Sequence, residues 1–152
     1  LQDVTTLHGS QFKNAAVIVA SPPCQQYSYR AMPFKRCKSL PPPDNTLFKE
    51  CFRIQLEASE SAGVKIPIVV ENVCGAQPFV GPAQWHYGSF YLWGDVPALP
   101  PSGKGLKGFG KTWFEGRQKT RWNPEVRKRD AAIAAKIPFE LSRWIAEVYK
   151  PC

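Results

Sequence analysis

The sequence predicts an α/β fold with neighbouring parallel strands joined by a helix, and three stretches predict it. Val17-Ile18-Val19-Ala20 is an apolar run that stops at Pro22-Pro23 and presents Cys24. Ile66-Pro67-Ile68-Val69-Val70 is a second such run, and it ends in Glu71-Asn72-Val73. Between them, the stretch from Thr46 to Ala62 carries apolar residues at helical spacing. Short β-branched runs bounded by prolines read as buried strands, and a helix between two of them is the usual crossover of a parallel pair. That arrangement brings Cys24 and Glu71 to the carboxyl edge of the sheet, where open α/β sheets bind their ligands.

Taken in order, the chain opens on Leu1-Gln2-Asp3-Val4-Thr5-Thr6, in which Asp3 reads as a surface acid. No glycine-rich loop precedes Asp3, so the strand at 17–20 is expected to have an open apolar edge, which is a liability. After Cys24, the segment from Arg30 to Asn45 holds Arg30, Lys35, Arg36 and Lys38 among Pro33 and Pro41-Pro42-Pro43, and it reads as a loop. The helix from Thr46 sets Leu47, Cys51, Ile54 and Ala58 on one stripe, broadened by Phe48 and Phe52, and Gly63 stands where it would stop. Ser89 to Trp93 reads as an aromatic strand between Gly88 and Gly94. Near the end, Asn123, Pro124 and Glu125 form a helix-start signal for a helix to about Ala135. A second helix is expected from Pro138, with Leu141, Trp144, Ile145 and Val148 packing onto the sheet.

With 152 residues and 43% hydrophobic content, the chain can build a modest core. Its net charge of +8 favours a polyanionic partner, most simply nucleic acid. The basic residues are densest from Pro100 to Trp122, where Lys104, Lys107, Lys111, Arg117, Lys119 and Arg121 face one acid, Glu115. Phe109, Trp113 and Phe114 lie among them on a glycine-rich backbone, a composition suited to phosphate contact and base stacking, or to a solvated linker. The five cysteines, at 24, 37, 51, 74 and 152, have neither disulfide-framework nor metal-site spacing, and reduced thiols in a cytosol fit them best. No stretch approaches a transmembrane span, and the amino terminus lacks a signal-peptide pattern, so a cytoplasmic protein is expected.

A cysteine after a strand reads as a small buried hydrophobe as readily as a nucleophile. Beside a carboxyl group that can share a proton, its thiolate is equipped for covalent addition to an electron-poor ring. Pro23-Cys24-Gln25 and Glu71-Asn72-Val73, in this order and each after a strand, resemble the two catalytic signatures of DNA (cytosine-5) methyltransferases. Ser89-Phe90-Tyr91-Leu92-Trp93-Gly94 and Ile137-Pro138-Phe139-Glu140-Leu141 resemble members carried by bacteriophages and bacteria, where such enzymes serve restriction-modification.

The resemblance implies a partial Rossmann-like, S-adenosylmethionine-dependent methyltransferase fold, with a mostly parallel sheet flanked by helices. It implies a partial catalytic domain at 1–99, a short basic DNA-recognition segment at 100–123, and carboxyl-terminal helices at 124–152 that pack back on the catalytic domain. It casts Cys24 as nucleophile and Glu71 as the group that meets cytosine N3, with Asn72, Pro23 and Gln25 shaping the loop. Asp3 and Val4 match the element that contacts the adenine of S-adenosylmethionine. Ser28, Arg30 and the basic residues of 104–121 are the expected DNA contacts, and no metal is implied.

The chain departs from the family in three places. The Phe-x-Gly-x-Gly turn that holds the cofactor has no counterpart before Asp3, so the chain reads as a carboxyl-terminal portion completed by another polypeptide or a preceding region. The family's Gln-x-Arg-x-Arg element is replaced by Gln84-Trp85-His86-Tyr87-Gly88, where His86 also reads as a plain surface histidine. Its Asn-Ser-Val-Pro element is replaced by Ala135-Lys136-Ile137-Pro138. Two rivals accompany the main reading: a DNA-binding fragment without activity of its own, and an exocyclic-amine methyltransferase, whose signature Ser21-Pro22-Pro23 approaches but whose aromatic position holds Cys24.

Overall fold

A computed structural model describes residues 2–28, 40–98 and 136–151. The segments at 29–39 and 99–135, with the basic recognition stretch and the helix expected after Asn123, lie outside the described residues. The elements are β1 (Ile18–Ala20), α1 (Thr46–Ala62), β2 (Ile68–Asn72), the single turn α2 (Gln77–Val80), β3 (Trp85–Tyr87), β4 (Phe90–Gly94) and α3 (Phe139–Tyr149). Two short 3-10 turns, Val4–Thr6 and Gly9–Phe12, precede β1.

The four strands form one sheet in the order β1-β2-β4-β3. β1 and β2 are parallel neighbours, with Ile18, Val19 and Ala20 opposite Ile68, Val69 and Val70, and α1 is the crossover between them. The expected mostly parallel sheet is corrected here, because β2 pairs with β4 and β4 with β3 in antiparallel fashion. For β3 and β4 the physical reason is a hairpin. Tyr87 pairs with Phe90 across Gly88-Ser89, and Gly88 takes φ 58, the left-handed conformation that the first position of a two-residue hairpin turn requires. Hydrophobic periodicity carries no strand direction, so the aromatic run at 89–93 could not reveal which way it ran.

β2 is the central strand and is buried at every position. Its alternation feeds two cores. Ile68 and Val70 pack with Tyr27, Phe48, Cys51, Ala76 and Trp93 on the α1 face. Val69 packs with Tyr87, Phe90, Leu92, Leu141 and Ile145 on the α3 face. β1 is only half-buried: Ile18 and Ala20 face α1, whereas Val19 is 51% exposed, so the expected buried strand is an outer one among the described residues.

On α1 the buried residues are Phe48, Cys51, Ile54 and Ala58. Leu47 is exposed and Phe48 takes its place in the stripe, a one-residue rotation of the expected face. Gly63 ends the helix at φ 69, donating its N–H to the Glu60 carbonyl. Arg53 pairs with Glu50 and Glu57 along the helix, and its Nη2 also donates to the carbonyls of Val4 and Leu7. Gly9 N donates to Glu57 Oε2 at 2.7 Å, and this bond, with Arg53 beside it, holds the Glu57 carboxyl below its usual range. A Cβ at Gly9 would stand 2.2 Å from the Ile54 carbonyl oxygen, so only glycine lets the amino-terminal turn lie this close to α1.

α3 begins after Pro138, as expected, and buries Leu141 and Ile145. Trp144 packs edge-on against Trp85 at 5.4 Å between ring centroids. Val148 is 51% exposed, and Tyr149 takes the place expected for it, donating its hydroxyl to the Asp95 carbonyl. Ile145→Ala is therefore expected to cost about 2–5 kcal/mol through the cavity it leaves. Val148→Ala is expected to cost less than about 0.5 kcal/mol, with both read by denaturant unfolding.

Candidate active site

The site forms where the chain leaves β1 and β2 at the same sheet edge. The last paired residues are Ala20 and Val70, so Ser21 and Glu71 come next on one side of the sheet, and Pro22 and Asn72 on the other. Side-chain bonds continue the pairing where the backbone ladder ends. Ser21 Oγ donates to Glu71 Oε2 at 2.7 Å, and Asn72 Nδ2 donates to the Pro22 carbonyl at 3.0 Å. Asn72 Oδ1 accepts the N–H of Val73 at 2.8 Å. Glu71 is 4% exposed and Asn72 1%, so these bonds satisfy groups that burial would otherwise penalise.

Two residues beyond Pro22, Cys24 is half-buried. Its carbonyl accepts the N–H groups of both Tyr27 and Ser28, each at 3.0 Å, so residues 24–28 form one tight turn. Pro23 and Gln25 are exposed on either side of Cys24, and Ser28 is half-buried. The structure thus brings Cys24, Glu71, Asn72, Pro23 and Gln25 to one edge, as the sequence predicted. A soft nucleophile on a fixed turn, with a buried carboxyl group at the end of the adjacent strand, can add to an electrophilic carbon and pass a proton to the same substrate.

The cysteines differ sharply in environment. Cys51 is buried on α1, donates to the Leu47 carbonyl, and has its thiol pushed up to about 11 by desolvation, so it is a core residue that keeps its proton. Cys24 is half-buried, and Cys74, just beyond Asn72, is exposed. Among the described residues no group of three or more His, Cys, Asp or Glu could hold a metal ion. No described helix is long and apolar enough to cross a membrane.

Asp3 and Val4 sit on a different element. Asp3 caps the first 3-10 turn, where its Oδ1 accepts from Thr5 N at 3.0 Å and Thr5 Oγ1 at 2.8 Å, and these bonds hold its carboxyl below the usual range. Arg53 ties Val4 to the middle of α1, about two helical turns from the end nearest Cys24. His86 is exposed on β3, stacked on Tyr91 at 4.8 Å, with Nδ1 3.1 Å from the Gly88 carbonyl. Arg30, Lys104, Lys107, Lys111, Arg117, Lys119 and Arg121 lie outside the described residues.

Three residues given no role beside Cys24 and Glu71 from sequence belong to the site: Ser21, Tyr27 and Asn45. Ser21 could have been noticed by carrying the parallel register one residue past the strand. Tyr27 and Asn45 carried only a weak signal, an aromatic residue and an amide just before a helix.

Asn72→Ala removes both the bond to Pro22 and the bond from Val73, and is expected to cost about 1–3 kcal/mol in denaturant unfolding. A cost within error of zero would mean that these bonds do not hold the loop. No protein-family model, curated protein or solved structure matches the chain.

Proposed function

We propose that this chain carries the catalytic centre of a DNA (cytosine-5) methyltransferase, with Cys24 as nucleophile and Glu71 as the proton-sharing group. The observation that carries the reading is the pair of bonds from Ser21 to Glu71 and from Asn72 to the Pro22 carbonyl, which fasten the cysteine loop to the strand that bears the carboxylate. The net charge of +8 supports a DNA partner.

In this mechanism the target cytosine leaves the base stack, because an atom within the duplex is out of reach of Cys24. The Cys24 thiolate bonds to C6 of the ring. The displaced electron pair is accommodated towards N3, where Glu71 supplies a proton or a hydrogen bond, and C5 becomes an enamine-like carbon. Once C5 carries its new methyl group, loss of the C5 proton re-forms the C5–C6 double bond and breaks the bond from C6 to sulfur. Cys24 returns as a thiolate. Asn72 keeps the loop in place throughout.

S-adenosylmethionine is the methyl donor that the resemblance implies. Asp3 is exposed and has one oxygen engaged by Thr5, which leaves the other to accept from a donor such as the adenine amine. The described residues do not form the rest of a cofactor cradle; bound S-adenosylmethionine would supply the methyl group. A partner-dependent DNA-binding fragment is the second reading; among the described residues β1 is an outer strand with Val19 half-exposed, an edge that a partner could cover.

Cys24→Ser is expected to abolish methyl transfer in the completed enzyme while leaving DNA binding within about twofold, since no charge is lost. Glu71→Gln is expected to lower kcat by about 10²–10⁴-fold. Tritium transfer from labelled S-adenosylmethionine and a filter-binding titration check both. Equal loss of transfer and binding in Cys24→Ser would make Cys24 a structural residue and end the proposal.

A further inference from the structure

We infer that Tyr27 and Asn45 form a clasp that positions Cys24 by tying its turn to the start of α1 and to the segment that continues from β2. Tyr27 is locked to Cys24 through the turn N–H bond, and its ring is 2% exposed, with its centroid 6.3 Å from that of Phe79. Its hydroxyl donates to Asn45 Oδ1 at 2.7 Å, and Asn45 Nδ2 donates to the Phe79 carbonyl at 3.0 Å. Next to it, Gln26 Oε1 accepts the N–H of Asp44 at 2.6 Å. Two consecutive residues of the cysteine turn therefore grip two consecutive residues at the helix start.

The behaviour of Asn45 is the telling detail. It occupies the N-cap position of α1, where an asparagine ordinarily accepts from the first helical N–H groups, yet it makes no capping bond. Asp44 does that work one residue earlier, with Oδ1 accepting from Thr46 N at 2.8 Å and Thr46 Oγ1 at 2.6 Å. The Asn45 amide is thereby released to bridge Tyr27 and Phe79. Burial, with Asp44 nearby, raises the Tyr27 phenol above its usual range, so the hydroxyl keeps the proton it donates.

Phe79 lies on α2, a few residues after Asn72, and this closes a ring of contacts around the cysteine. From Asn72 the ring runs to Pro22, through Cys24 to Tyr27, across Asn45 to Phe79, and back along the chain to β2. Cys24 is held on one flank by Asn72 at the end of β2 and on the other, through Tyr27 and Asn45, by Phe79 on α2. Tyr27 and Asn45 are thus positioning residues; their catalytic meaning rests on the methyltransferase reading, whereas the clasp itself does not.

The test is iodoacetamide labelling of the full chain, mapped by mass spectrometry, in the wild type, Tyr27→Phe, Asn45→Ala and the double variant. Exposed Cys74 is the internal reference, and buried Cys51 reports unfolding. Losing one hydrogen bond of ordinary strength shifts a local opening equilibrium about fivefold, so the ratio of Cys24 to Cys74 labelling should rise by about that factor in Tyr27→Phe and by at least as much in Asn45→Ala, which also loses the bond to Phe79. The double variant should rise no further than Asn45→Ala, because the only bond that Tyr27→Phe removes is already lost there, and Cys51 should stay unlabelled. An unchanged ratio, multiplicative effects in the double variant, or Cys51 labelling in step with Cys24 would each overturn the clasp. If the ratio shifts as expected while Cys24 shows no reaction with a pyrimidine in DNA, the clasp stands and the methyltransferase reading falls. In a working enzyme Tyr27→Phe should lower kcat and leave KM unchanged, a split that general destabilisation would not produce.

Discussion

A strand buried at all five positions ends in a carboxylate and an amide, and the rest of the described structure depends on satisfying them. Burying an unpaired amide costs about 1–3 kcal/mol and an unpaired charge more. Ser21, the Pro22 carbonyl and the Val73 N–H remove that cost at the end of β2, and among the described residues no buried side-chain nitrogen or oxygen lacks a partner. The bonds that make the end of β2 stable are therefore the same bonds that place the cysteine loop. Stability and site geometry cannot be altered separately there.

The remainder of the scaffold keeps β2 central. α1 covers one face through Phe48 and Cys51, and α3 covers the other through Leu141 and Ile145. At the opposite end of the strand, Gly94 takes φ 91, and a Cβ there would meet the Ile68 carbonyl oxygen at 2.4 Å. That close approach lets Asp95 N donate to the Ile68 carbonyl and Asp95 Oδ2 accept from Ile68 N, while Lys65 pairs with the same carboxylate. β2 is thus fixed at its start by Asp95 and at its finish by the cysteine loop. A rigid central strand with one functional end is what a preorganised site requires.

The two strand-then-signature stretches were legible because contiguous apolar residues, a proline stop and a polar residue beyond it are all local features. The crossover helix was legible from its spacing and from Gly63. What failed to show was set by partners distant in the chain. Trp85-His86-Tyr87 is three residues long and includes a histidine, so it gave no strand signal, and it pairs only because Gly88 turns the chain back on itself. The exchange of Leu47 for Phe48, and of Val148 for Tyr149, followed from where the sheet and the Asp95 carbonyl lie. At the site, the roles of Cys24, Glu71 and Asn72 were suggested by resemblance and their adjacency by strand order. The link from Tyr27 through Asn45 to the Phe79 carbonyl joins residues 18 and 34 positions apart, and no periodicity encodes that.

In the proposed chemistry Cys24 is a nucleophile towards a pyrimidine ring beside Glu71. The most direct measurement is a denaturing-gel shift with a pool of duplexes that carry 2-pyrimidinone in place of cytosine in varied sequence contexts. That ring lacks the exocyclic amine and accepts a thiolate at C6 without any methyl donor, so the test does not depend on a complete cofactor site. The account predicts a slow-migrating band with the wild-type chain, weaker in Glu71→Gln and absent in Cys24→Ser. No band with the wild type, or a band that persists in Cys24→Ser, would contradict it.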